Sequence, residues 1–108
     1  MDLIDYHTKG GKNLIKDYLN KLPIPDRTYG YAIRNKIKNE GLEAFDGLDT
    51  RQLIGKLWEI RFLGNRIMYI IFDRKTVYFL HACKKQKGKT EKFDLDKALR
   101  RAKAENLL

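Results

Sequence analysis

Leu57-Trp58-Glu59-Ile60-Arg61-Phe62-Leu63 and Arg66-Ile67-Met68-Tyr69-Ile70-Ile71-Phe72 are two apolar, aromatic-rich runs joined by Gly64-Asn65. Runs of this kind around a Gly-Asn pair predict a β-hairpin with Gly64-Asn65 as its two-residue turn. Strand alternation then puts Trp58, Ile60 and Phe62 on one face and Leu57, Glu59, Arg61 and Leu63 on the other. In that register Leu63 pairs with Arg66 and Arg61 with Met68, so Glu59, Arg61 and Arg66 project from the same side. Packing alone explains such a row poorly. Two readings remain: a surface shaped for an anion, or an exposed face on which Glu59 pairs with one arginine at little energetic consequence. Arg66, beside the turn, is expected to be exposed.

The rest of the chain supplies elements around this hairpin. Leu3 to His7 alternates like a short strand. Leu14, Ile15, Tyr18, Leu19 and Leu22 recur at helical spacing up to Pro23. A second helix opens at Pro25-Asp26, buries Tyr29, Ala32, Ile33 and Ile37, and ends at Gly41. The stretch from Leu42 to Lys56 shows no sustained period and reads as a long connection. After the turn at Asp73-Arg74-Lys75, Thr76 to Ala82 is a third long strand. Thr90 is a fair N-cap for a last helix with Leu95, Ala98, Leu99 and Ala102 on its apolar stripe. The expectation is one α+β domain over residues 1–108, ordered β-α-α-β-β-β-α, with helices on one face of a small antiparallel sheet.

Charge narrows the function. Lys and Arg number 23 against 14 Asp and Glu, a formal net charge of +9. Such a domain suits nucleic acid, an anionic membrane or an acidic protein, although a solubilising surface charge gives the same total. One cysteine, Cys83, precludes an internal disulfide and suits a reducing cytoplasm. No apolar run approaches a membrane span, and Asp2 and Asp5 argue against a secretory signal. His7, His81 and Cys83 are too few and ill-spaced for zinc, so no metal and no cofactor are expected.

Beyond Arg61 and Arg66, residues 81–89 hold five side chains that are cationic or titrate near neutrality: His81, Lys84, Lys85, Lys87 and Lys89. Such a cluster attracts phosphate and lowers lysine pKa values, but a solvated loop has the same composition. A bulge or three-residue turn after Phe72 would put Lys84 on the arginine face; a two-residue turn would put Lys85 there. His81 has an unperturbed pKa suited to acid or base work, yet a strand-end histidine is commonly structural. Cys83 has no triad spacing around it. The segment from Lys84 to Lys103 carries nine Lys or Arg against three acids, so Arg100 on the last helix, with Lys56, Lys87 and Lys89, is a candidate for phosphate-backbone contact. Tyr69, Tyr78 and Phe79 either stack on bases or fill the core.

Leu57-Trp58-Glu59-Ile60-Arg61-Phe62, then Asn65-Arg66-Ile67-Met68-Tyr69, then Leu80-His81-Ala82-Cys83-Lys84-Lys85, together resemble the RelE/ParE superfamily of toxins. They are most similar to its HigB-like branch, also described as phage Gp49-like. The resemblance implies a microbial RNase-like fold and a metal-independent endoribonuclease that cleaves mRNA, commonly on the ribosome, to inhibit translation. It also implies a co-expressed helix-turn-helix antitoxin, with which the toxin forms a hetero-oligomer. The superfamily's basic catalytic positions fall on Arg61, Arg66 and Lys85, with Lys84 adjacent. Where many relatives carry a C-terminal tyrosine this chain offers Phe93, which leaves His81, Lys84 and Glu59 as substitutes for the acid or base. Glu59 qualifies only if it is free of an ion pair. A ParE-like gyrase inhibitor of the same fold, or a non-catalytic nucleic-acid-binding module, are the alternatives; the basic cluster disfavours the first.

Overall fold

A computed structural model describes residues 1–85 and 89–108, with the side chains of Lys89 and Thr90 not described. The elements are β1 (Asp2–Asp5), α1 (Leu14–Asn20), α2 (Ile24–Glu40), a 3₁₀ segment (Gly41–Gly47), β2 (Thr50–Ile54), β3 (Leu57–Phe62), β4 (Asn65–Asp73), β5 (Thr76–Lys84) and α3 (Lys89–Ala104). The expected α+β class is present. Thr90, expected as the N-cap, falls inside α3, which begins at Lys89.

The sheet differs from the sequence expectation in three ways. Its order is β1-β5-β4-β3-β2, and β1 runs parallel to β5, so it is mixed rather than antiparallel. Its outermost strand, β2, falls inside the stretch read as a connection. As an edge strand it exposes Arg51 and Gln52, which erases the alternating pattern. Finally, helices cover both faces. Ile15, Leu19, Ile33 and Ile37 of α1 and α2 pack on Ile60, Phe62, Ile67 and Tyr69. Ala98 and Ala102 of α3 pack on Leu57, Met68 and Ile70, the alternate positions of the same strands.

The hairpin turn is Leu63-Gly64, not Gly64-Asn65, with φ of 48° and 77° and Phe62 paired to Asn65. A left-handed leucine costs about 1–2 kcal/mol. Asn65 explains the choice, because it is buried and fully engaged. Its Oδ1 accepts from Tyr18 Oη at 2.6 Å, and its Nδ2 reaches Asp26 Oδ2 and the Leu63 carbonyl, each at 3.2 Å. Moving the turn by one residue shifts every cross-strand pair by two. Arg61 therefore faces Arg66, and Glu59 faces Met68, yet each side chain keeps its predicted face.

Two bulges decide the lysine question. Phe72 is the extra residue between the Ile71–Val77 and Asp73–Thr76 pairs, and Leu80 the extra residue between Tyr69–Phe79 and Met68–His81. One on each strand, they cancel. Cys83 consequently sits opposite Arg66 and Lys84 opposite Asn65.

A buried ion pair ties β1 to the helices. Arg34 of α2 donates from Nη1 and Nη2 to the two carboxylate oxygens of Asp5 at 2.6 and 2.8 Å. Asn13, which caps α1, donates to Asp5 Oδ2 at 2.9 Å. Removing the carboxylate leaves a buried guanidinium unpaired, so Asp5→Ala is expected to lose about 3 kcal/mol or more in urea unfolding. Asp2→Ala, at an exposed position of the same strand, is expected to stay within about 0.5 kcal/mol. Equal midpoints for the two variants would contradict this role for Asp5.

Candidate active site

Two arginines standing directly opposite each other repel unless each finds an anion. Here they lean apart. Arg66, 2% exposed, donates from Nη1 to Glu59 Oε1 at 3.1 Å and to Glu91 Oε1 of α3 at 3.3 Å. Arg51 of β2 reaches the same two carboxylates, each at 3.4 Å. Among the described residues, two cations and two anions thus form a network across β2, β3, β4 and α3. Arg61 turns the other way, to Asp49 Oδ1 at 3.0 Å, and keeps about a third of its side chain in solvent. Its Nε is buried with no hydrogen-bond partner among the described residues.

Arg61 and Lys85 line one groove of about 490 Å³ at the hairpin end of the sheet, with Tyr29, Asp49, Phe62 and Asn65. The Lys85 backbone N–H donates to the Gly64 carbonyl at 2.8 Å, which anchors the residue beside the turn. Tyr29 was expected in the buried stripe of α2. Instead it is 51% exposed and stacks on Phe62 at 5.8 Å between ring centroids, while Gly30, Ile33, Arg34 and Ile37 make the stripe. The reason is a stripe shifted by one residue, which exposes Ala32 as well and is set by Gly30, whose absent side chain lets Leu19 and Phe62 approach. Asp49 carries no sequence signal, because β2, which it precedes, has no alternating pattern.

The other candidates lie elsewhere. Glu59 is 1% exposed and held by two guanidiniums, so the condition for its acting as a base is not met. Arg66 is buried, against the expectation that it would be exposed. Lys84 is exposed at the end of β5, on the Asn65 side of the pairing. Lys56 borders a different groove beside Trp58, and Arg100 a small pocket with Tyr6, Lys97 and Arg101. Phe93 is exposed under the Lys97 ammonium and offers no titratable group. Lys87 and the side chain of Lys89 lie outside the described residues.

His81 is a buried lock between β5 and α3. Its Nε2 lies 2.8 Å from Asp94 Oδ1, and its Nδ1 lies 3.2 Å from Arg101 Nη1. Arginine can only donate, so Nδ1 accepts and Nε2 carries the proton to Asp94. Cys83 brings a third donor atom to within 4.8 Å of this pair. A metal on Nε2 would leave Nδ1 protonated against the Arg101 N–H, so hydrogen bonding accounts for the cluster better than an ion does. Burial pushes the Cys83 thiol up to about 12, with the Asp94 charge adding to it, so it is no nucleophile at neutral pH.

A family model, phage-derived protein Gp49-like (DUF891), matches residues 17–103. The chain belongs to the Gp49-like family. This is a RelE-like, toxin-like family, and the match spans both the hairpin and the Arg61–Lys85 groove. No curated protein matches the chain. Among the described residues of this Gp49-like protein, no helix is long and apolar enough to cross a membrane.

Two measurements check the division of labour. Arg66→Ala leaves buried Glu59 to the longer Arg51 contact at 3.4 Å and is expected to cost about 3 kcal/mol or more, whereas Arg61→Ala, which breaks a rim pair, is expected to cost at most about 1 kcal/mol. Similar melting temperatures for both variants would contradict the buried network.

The second measurement is pH dependence. Burial holds the His81 imidazole below the ordinary 6.5, outweighing the raising effect of Asp94; Arg101 and Lys97 lower it further. Below 6.5 the unfolded chain binds a proton that the folded chain resists. This contribution to stability is therefore complete above 6.5 and declines as the pH falls towards the depressed folded value. His81→Asn is expected to flatten the melting temperature against pH in that window. An unchanged slope would remove His81 as its cause.

Proposed function

We propose that this Gp49-like protein is the toxin of a type II toxin–antitoxin pair and cleaves mRNA by a metal-independent mechanism, acting on messages held by the ribosome in the cytoplasm. The observation that carries the proposal is the convergence of Arg61 and Lys85 on one open groove. A planar guanidinium matches two phosphoryl oxygens, and an ammonium supplies a compact charge with protons to give.

In the proposed reaction the scissile phosphate lies between Arg61 and Lys85. Asp49, the carboxylate of the groove, takes the proton of the ribose 2′-hydroxyl. The 2′-oxygen bonds to phosphorus while the bond to the 5′-oxygen breaks, and Lys85 protonates the departing oxygen. The products are a 2′,3′-cyclic phosphate and a free 5′-hydroxyl. Arg61 neutralises charge building on the phosphoryl oxygens, where a well-aimed donor contributes on the order of 10²–10³ in rate. Arg66 stands behind it, fixing the strand rather than touching the phosphate. Asp49 is largely exposed and pairs with Arg61 at 3.0 Å, so the acid–base set is completed only as the incoming strand displaces that contact. Such a set suits an enzyme whose substrate is positioned by the ribosome. With a net charge of +9, the partner expected to silence it is an antitoxin that presents acidic groups to the groove.

The test is induction followed by mapping of mRNA 5′ ends, with the purified chain assayed on translated messages. Arg61→Ala and Lys85→Ala are each expected to lower cleavage about 10²-fold or more while melting close to the parent. A 2′-deoxy nucleotide at the cut site is expected to abolish cleavage there, and a chelator to leave the parent's activity intact. Cleavage of the deoxy-substituted message would refute the 2′-hydroxyl mechanism. Growth arrest without cut messages would refute the nuclease and favour a gyrase-directed or purely binding toxin.

A further inference from the structure

A second groove, of about 590 Å³, lies along the other end of β3, beside Gly55 and Lys56. It exists because α1 and α2 cover Ile60, Phe62 and Ile67 on this face but stop short of Trp58 and Ile71, which remain 37% and 38% exposed. Tyr69 forms its floor, stacked on Phe45 with ring centroids 5.0 Å apart. Burial pushes the Tyr69 hydroxyl up to about 12, outweighing a lowering effect of Thr50, so the floor stays neutral. Trp58 is the open aromatic wall, and Asp46 and Lys56 supply one acceptor and one cation at the rim.

Apolar walls with a few placed polar groups are the usual make-up of a small-ligand site. The occupant must be flat to lie on an indole, must offer a donor to Asp46, and must bring negative charge to Lys56. An aliphatic side chain of a protein partner would satisfy the walls and leave both rim groups unmatched. A nucleobase on its phosphate backbone satisfies all of them. The position agrees. Asp49 lines the Arg61–Lys85 groove and the next residue, Thr50, lines this one. Trp58 and Arg61 are separated along β3 by roughly 10 Å but point to opposite faces, so a single strand that serves both passes over the β2 edge at Asp49 and Thr50.

We propose that this groove is a nucleobase subsite. It takes an unpaired base of the strand whose scissile phosphate lies in the Arg61–Lys85 groove; the base stacks on Trp58, gives an amine proton to Asp46 and places its phosphate at Lys56. The subsite rests on the RNA-cleavage reading and adds to it a contact that selects single-stranded RNA by its bases.

Trp58 is the chain's one tryptophan, so its emission reports the subsite directly. The purified chain is titrated at low salt with a short 2′-O-methyl oligonucleotide, which it cannot cut, and with an abasic strand of the same length, both carrying a label for anisotropy. Saturable quenching by the first strand and binding without quenching by the second are expected. Trp58→Phe is expected to hold the oligonucleotide within a few-fold of the parent, and Trp58→Ala about tenfold more weakly. Bound oligonucleotide with unquenched Trp58, no binding at all, or quenching only by an apolar helical peptide would overturn the subsite. Cleavage of ordinary RNA is scored separately. RNA that quenches Trp58 but is never cut would keep the base site and remove the nuclease, and the converse result would do the reverse.

Discussion

Glu59 decides what the rest of the sheet can do. Strand pairing places Arg61 and Arg66 directly opposite each other, and two adjacent guanidiniums on one face would repel. Glu59, two residues before Arg61 on the same face, takes Arg66 into the interior at 3.1 Å. A buried pair of this kind adds little net stability over an apolar replacement, because desolvation offsets most of the attraction. Its contribution is one of assignment. Arg66 becomes the anchor on which β2, β3, β4 and α3 meet, and Arg61 is left at the rim beside one exposed carboxylate.

Everything proposed for the groove follows from that asymmetry. A part-exposed arginine beside an exposed lysine costs little to maintain and takes a phosphate with a small rearrangement at the rim. The carboxylates that would compete for it are occupied: Glu59 by two arginines, Asp5 by Arg34, and Asp94 by His81. Only the weak rim contact with Asp49 has to yield to an incoming phosphate. The buried His81–Asp94 contact gives α3 a fixed seat on β5, which in turn holds Glu91 near Arg66.

The sequence made much of this visible, and the limits are physical. Side-chain faces along the hairpin were predicted correctly although the turn was placed one residue late, because that error moves the register by two and leaves the period-two pattern unchanged. The two bulges could not be read at all, yet they cancel, and Lys85 rather than Lys84 joins Arg61 in the groove. The burial of Arg66 was beyond local reasoning. It depends on Arg51 in an edge strand with no alternating pattern and on Glu91, 25 residues away along the chain. Tyr29 and Asp49 escape sequence reasoning for related reasons: helical spacing puts the first in the buried stripe, and the second precedes a strand that shows no alternation. The parallel pairing of β1 with β5 is a contact between the start of the chain and its last strand, which periodicity cannot encode.

The central claim is that the network hides Arg66 and presents Arg61. Arginine-selective modification with a dicarbonyl reagent, followed by peptide mapping over time, measures this on the native protein. Arg61 is expected to modify readily, with loss of RNA cleavage following its modification, and Arg66 to stay protected until the chain is unfolded. Equal rates at the two positions in the folded protein, or loss of cleavage that tracks Arg66 instead, would contradict the account.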